Sequence, residues 1–373
     1  MESWLLMTFA ALSMTGCRQI DARLNEAAGK TAAPETAPAQ APNKDVNRVM
    51  IVINKNSLTS QEVGAYYRAK RAIPTANVVL IECSDSEELS KDQYDSKIEQ
   101  PIKAALKASK NKIDFIVTTK GVPIRIAEGG FSVDAFLAAM NLTIAPIAKL
   151  EEADIRRCTN PYFTKTEPFS AAKFNMYLVT RLDGYTVADC KKLVDSSLAA
   201  KPEKGQFFFD EADNRKDPAY KPMQDTLAQA HEELKKQGYL SELEQTRTFA
   251  APSEPLMGYS SWGSNDGAFD VNAYKKIRFH PGALAETFVS TSGRTFNPTT
   301  GGQSLIADLI ASGVTGVKGY VSEPYTFALA RPEILFPRYV SGRNLAESFY
   351  SASMVIKWKD VVIGDPLCSP YAK

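Results

Sequence analysis

The sequence predicts an α/β fold built from two fused subdomains, each with a mainly parallel sheet flanked by helices. Three observations predict it. Short apolar runs rich in Val, Ile and Phe alternate with segments of helical spacing from Arg48 onward, and strands that alternate with helices pair in parallel. The chain has 373 residues, of which 44% are hydrophobic and 23% charged, enough to bury a large core in one big domain or two joined ones. Regularity lapses around "NPYF" and "EPFSAAKF", which divides the folded chain into 47–165 and 166–373.

The elements follow in order. "RVMIVIN" is a buried-strand run, "SQEVGAYYRAKRAI" has helical spacing and ends before Pro74, and "NVVLIEC" is a second strand. A long amphipathic helix is predicted over "KDQYDSKIEQPIKAALKAS", and "KIDFIVTTKGVPIRI" is a strand running into a Thr-Thr-Lys-Gly turn. In the second part, "MYLVTRLDG" is a strand, 187–200 a helix, "GQFFFDEA" a strand and 219–237 an amphipathic helix. The apolar run "GALAETFVSTSG", a helix in "SLIADLIASG", the strand "VTGVKGYV", a helix around "NLAESFYSAS" and the run "KDVVIGDPLCSPY" complete the chain.

The first residues stand outside this pattern. "SWLLMTFAALSMTGC" has the length of a signal peptide rather than of a membrane span and ends in small residues before Cys17. "SMTGC" resembles a bacterial lipobox, so residues 1–17 are expected to be a lipoprotein-type signal peptide with Cys17 lipidated. The start "MES" departs from that pattern by carrying no Lys or Arg; plain secretion and an uncleaved anchor are the alternatives. Residues 18–46 include "KTAAPETAPAQAPNK", an Ala/Pro/Thr-rich stretch without apolar periodicity, expected to be a disordered tether. The implied location is the bacterial cell envelope, lipid-anchored at the periplasmic face or outer surface.

Charge and cysteine content narrow the partners. Lys and Arg total 44 against 43 for Asp and Glu, so no field draws the chain to nucleic acid; a peptide or glycan is the default ligand. Cys83, Cys158, Cys190 and Cys368 form two disulfides or remain buried thiols. No Cys-x-x-Cys or His-rich spacing suggests a metal site, and no cofactor is expected. His231, on a charged helix, is expected at the surface.

Ligands of open α/β sheets bind beyond the carboxyl ends of the strands. That rule selects Lys120, Arg181, Asp183, Asp210, Glu211, Ser261 to Asp266, Ser290 to Arg294, and Asp365. Asp183-Gly184, Asn265-Asp266-Gly267 and Gly364-Asp365-Pro366 are equally the chemistry of turns, and Asp210, Glu211 and Asp213 read as a solvated acidic turn. "STSGR", residues 290–294, offers hydroxyls and backbone amides in one tight turn, as acyl transfer requires. "TTGGQS", 299–304, is a candidate anion-binding helix start. Arg156 and Arg157 beside Cys158 lower a thiol pKa if they face it.

Several motifs carry a resemblance. "TKGVPIRI", "LVTRLDG", "SSWGSNDG", "GALAETFVSTSGRTF", "GQSLIADLIASGVTGVKGYV" and "GDPLCSPY" resemble a family of uncharacterised bacterial exported proteins, over nearly all of 47–373. The order of turns and strands is more distantly similar to the gingipain-type cysteine peptidases, which implies a caspase-like α/β fold. In that family one strand-end turn carries a His-Gly base and the next a Cys nucleophile. Those positions fall on Trp262-Gly263-Ser264 and on Thr291 or Ser292, so both catalytic side chains are absent. An indole has no basic nitrogen, and a hydroxyl needs more activation than a thiol.

Two functions follow. One is a peptidase-like binding protein whose cleft is lined by Tyr259, Trp262, Asn265 and Tyr325, with Lys120, Arg181, Asp183 and Arg294 orienting polar groups of a peptide or glycan. The other is a Ser-dependent hydrolase using Ser290 or Ser292, with His280 or Asp266 as base; of these two, only His titrates near neutrality without perturbation.

Overall fold

One ten-stranded sheet organises the computed structural model, which describes residues 44–203 and 205–372. The first strand, β1 (Val49–Asn54), is buried along its whole length, as an apolar run covered by helices on both faces should be. Helix α1 (Leu58–Arg71) follows, capped by the Ser57 hydroxyl, which accepts from Ser60 N. Strand β2 (Val78–Ile81) pairs with β1. The predicted 91–109 helix is interrupted by a π-turn over Tyr94–Glu99 before α2 (Gln100–Ala108). Strand β4 (Phe115–Thr119) lies on the other side of β1. The two-residue strands β3 (Glu88–Leu89), β5 (Arg125–Ile126) and β6 (Phe131–Ser132) form a separate small sheet, followed by α3 (Val133–Ala138).

In the second half, β7 (Leu178–Leu182) leads into α4 (Val187–Ala199), β8 (Gln206–Asp210) into α5 (Lys221–Lys236), and β9 (Ser241–Glu244) to the sheet edge. Strands β10 (Leu256–Ser261) and β11 (Phe279–Thr287) precede α6 (Ile306–Ala311) and β12 (Gly316–Tyr320). Helices α7 (Pro332–Val340) and α8 (Leu345–Ala352) then lead to β13 (Asp360–Ile363).

The strand order is β2-β1-β4-β7-β13-β12-β11-β10-β8-β9. All neighbours are parallel except β12 and β13, which are antiparallel. Two parallel sets, fused back to back in one sheet, are therefore the architecture. Strand β7, which the sequence boundary at 165/166 assigns to the second subdomain, pairs with β4 in the first set.

Residues 1–43 are not among those described, so the signal peptide, Cys17 and nearly all of the tether lie outside the structure. Residues 44–48 form a 3-10 turn leading into β1. Among the described residues, no helix is long and apolar enough to cross a membrane.

Candidate functional site

The carboxyl ends of β8, β9, β10 and β11 lie side by side, and two turns meet there. At the end of β10 the Ser261 hydroxyl accepts from Tyr259 Oη at 2.8 Å and from Gly263 N at 3.0 Å, folding the chain into the short 3-10 turn Gly263–Asn265. The turn after β11 docks against it. Asn265 Nδ2 donates to Phe288 O at 2.7 Å, Gln303 Nε2 donates to Asn265 Oδ1, and Gln303 Oε1 accepts from both Thr291 N and Thr291 Oγ1. Ser304 N donates to Ser264 Oγ at 2.9 Å, and Ser264 N to Ser304 Oγ at 3.2 Å. The two turns singled out from sequence are thus fastened into one unit.

Trp262 is not a ligand platform in this unit. Its ring is 2% exposed, set edge-on between Tyr220 and Phe288 at centroid distances of 5.7 and 5.1 Å. The Arg215 guanidinium covers it at 5.2 Å. Its indole N–H donates to Gln224 Oε1 at 2.7 Å, and Gln224 in turn holds both backbone groups of Ala212. The side chain that stands where the gingipain likeness places a base is a packing element joining β10 to α5. Tyr259 is likewise fully buried.

The serines differ from each other. Ser292 is fully buried and its Oγ has no hydrogen-bond partner; half-buried Ser290 makes no side-chain bond within the chain. A nucleophilic hydroxyl needs a base within hydrogen-bond reach. His280 cannot serve: it sits at the start of β11 while the serines follow its end, a separation on the order of 25 Å at the rise of an extended strand. Asp266 spends its Oδ1 on Ala268 N at 2.8 Å, and burial raises its pKa.

The structure sets a second carboxyl, Glu244, beside Asp210. Asp210, Ser261 and Thr287 are register neighbours at the ends of β8, β10 and β11, with Glu244 beside Asp210 on β9. Asp210 is 1% exposed, and neither of its oxygens nor Glu244 Oε2 meets a donor. A buried carboxyl beside a second carboxyl and away from cations is favoured in its protonated form. Burial, then Glu244 and Asp266, push the Asp210 carboxyl up to about 8. Asp210 is therefore not part of a solvated acidic turn. Glu244 was missed because "SELE" carries no motif; only its pairing with β8 marks it. Among the described residues, no three or more His, Cys, Asp or Glu side chains are spaced to hold a metal ion.

The remaining predicted residues lie elsewhere or are committed to the fold. Arg181 is fully buried: it clamps Asp134 with two hydrogen bonds of 2.9 and 2.7 Å and donates to Val122 O and Pro123 O. It orients no ligand. Asp183 is buried between Lys120, Arg181 and its own following amide, and desolvation raises its pKa against those cations. Lys120 Nζ reaches Asp183, Gly184 O and Phe296 O. Arg294 holds Thr291 O, Gln303 O and Gly301 O, so "TTGGQS" is a loop clasped by a guanidinium rather than a helix start; α6 begins only at Ile306. Tyr325, 43% exposed with φ of +62°, stacks on Phe327, away from the joined turns.

All four described cysteines are free and buried. Burial pushes the Cys158 thiol up and outweighs Arg157, so the neighbouring arginines do not activate it. His231 is half-buried rather than exposed, its Nδ1 3.0 Å from Ser241 Oγ. Asp365 is the structural corner its turn sequence suggests: it binds Tyr67 Oη at 2.8 Å, Ser197 Oγ at 3.0 Å and the Arg71 guanidinium.

No protein-family model matches the chain. No curated protein matches it either. Among solved structures it is similar to one described as "Structure of Protease", at 10% identity and a TM-score of 0.46, over 88% of this chain and 79% of that one.

Proposed function

We propose that this protein is a peptidase-like scaffold without a Cys-His dyad, held at the bacterial cell envelope through Cys17, that binds a peptide at the joined turns after β10 and β11. The observation that carries the reading is the fate of Trp262. At the position the gingipain likeness gives to the base, the chain has an indole that is buried and bonded to Gln224, and the adjoining hydroxyls of Ser290 and Ser292 are bonded to no imidazole or carboxylate. The half-buried Ser290 hydroxyl, bonded to nothing within the chain, remains at the turns, and a free hydroxyl there suits the amide edge of an extended chain. A glycan fits less well, since the aromatic face it would stack on is turned inward.

The competing reading is a Ser-dependent hydrolase. A fluorophosphonate probe separates the two: the binding reading expects no covalent labelling of the purified protein and selective retention of peptides on an array. Labelling that disappears in Ser290→Ala or Ser292→Ala would overturn it. The anchor has its own test, incorporation of radiolabelled palmitate that vanishes in Cys17→Ala; label persisting in the variant would refute the lipobox reading.

A further inference from the structure

On the first half of the molecule, far in sequence from the joined turns, a cavity of about 420 Å³ opens between the π-turn, the small sheet and the segment before β13. That volume is within the range of small-molecule sites, roughly 300 to 1,000 Å³. Its floor is the rings of Phe131 and Phe136, 5.1 Å apart and tilted at 38°. Its rim is charged, with Lys91, Asp95, Glu99, Glu128 and Lys357.

Most of these charges are partly committed, and the remainder defines what fits. Lys91 Nζ is held by both Asp95 oxygens at 2.6 Å, and Lys91 N donates to one Glu128 oxygen at 2.7 Å. Lys103 occupies one oxygen of Glu99. Lys357 Nζ gives one hydrogen bond, 2.7 Å to Ile144 O, and lies 5.4 Å over the Phe136 ring. An ammonium has three donors, so Lys357 keeps spare donors, while Glu99 and Glu128 each keep a carboxylate oxygen.

Two features of the backbone hold this arrangement in place. Lys357 has φ of +60°, a strained conformation for a non-glycine residue that persists only where the surroundings enforce it. The π-turn, a rare widening that recurs at functional sites, places Asp95 and Glu99 at the cavity, while the buried Tyr94 ring packs edge-on against Phe136.

We propose that this cavity binds a free α-amino acid with an apolar side chain, its carboxylate on Lys357, its ammonium on Glu99 and Glu128, and its side chain against Phe131 and Phe136. A ligand with both charges uses the spare donor and the spare acceptors at once, and the aromatic floor accounts for the apolar part. The site is independent of the peptide reading above and stands or falls without it.

Calorimetric titration of the intact protein with L-leucine and L-phenylalanine tests the assignment, alongside isoamylamine and 4-methylpentanoate, which each keep one charge. Saturable binding of the amino acids is expected, with each single-charge analogue weaker by about tenfold or more. Lys357→Met, which keeps the aliphatic stem, and Glu99→Gln should each weaken L-leucine to a similar degree. Absence of binding at millimolar L-leucine, analogues as tight as the amino acid, or L-leucine binding unchanged in both variants would overturn the proposal. If Lys357→Met fails to fold, Glu99→Gln and the analogue series decide it.

Discussion

Lys318 shows how the central sheet handles charge at the level of one residue. It is fully buried on β12, donating to Ala328 O at 3.1 Å and Ser353 Oγ at 2.7 Å, and it lies 3.4 Å from Asp360. Its register neighbour Glu286 is also fully buried, accepts from Tyr320 Oη at 2.6 Å, and is pushed by burial up to about 8. Removing one partner of a buried charge set typically costs about 3 to 5 kcal/mol, so Lys318→Met should lower the urea-derived stability by that order at pH 8. The loss should shrink at pH 5, where Glu286 holds a proton; an equal loss at both values would separate Lys318 from the Glu286 charge. Asp210 sharpens the same point. A carboxyl whose pKa is higher folded than unfolded binds its proton more tightly in the native state. Its stabilisation is complete below about pH 4 and is lost as pH rises towards 8, by up to about 1.4 kcal/mol per unit. Asp210→Asn carries no such dependence, so its stability relative to the parent should improve steadily from pH 5 to pH 8. Parallel urea midpoints across that range would show that Asp210 ionises normally. The sequence marked Asp210, Arg181 and Trp262 as strand-end residues, and they are. It gave no means of telling which strand-end side chains turn inward, because the same Arg fork or indole serves a buried clamp or an open ligand site.

Whole elements were legible wherever one physical signal dominated. The apolar runs of β1, β4 and β7 are buried throughout, and amphipathic spacing located α4 and α5 within about two residues, the usual uncertainty of helix ends. Conflicting signals hid others. Strand β9 reads "SELE", half of it acidic on a half-exposed edge, and α7 contains Pro337, a residue that normally breaks a helix interior. Tertiary packing overrides both: β9 pairs with β8, and α7 buries Leu335, Phe336 and Tyr339. Packing also fixes the corner after β13. Gly364 has φ of +129°, and a Cβ there would stand 2.6 Å from Thr315 O and 2.7 Å from a Leu345 methyl. A backbone oxygen has little room to retreat, so Gly364→Ala should destabilise by about 2 kcal/mol or more. Gly301→Ala is the control, since nothing lies within 4 Å of a Cβ at that position. Equal thermal midpoints for the two variants would contradict the close approach at the corner.

At the scale of the molecule, the antiparallel seam decides whether two parallel sets behave as two domains or one. Strand β13 lies between β7 of the first set and β12 of the second, so the last strand of the chain completes the first half's sheet while bonded to the second. A single hydrophobic cluster runs from Val49 to Tyr371 through both sets. Arg71 and Tyr67 of α1 and Ser197 of α4 converge on Asp365 just past β13, tying the last strand to the helices of the first set. Shared strands and shared core make separate unfolding costly, because opening either half exposes apolar surface belonging to the other. The tryptophans test this directly. Trp262 reports on the second set between Tyr220 and Phe288, and Trp358 packs on Phe131 of the small sheet, with its N–H on Pro324 O. In residues 44–373 these are the two tryptophans, so Trp262→Phe and Trp358→Phe each leave one reporter. With each fluorescence curve compared against circular dichroism of the same variant, both reporters should track global unfolding at a single midpoint. A fluorescence transition that precedes the loss of circular dichroism in either variant would mean that the seam does not couple the halves.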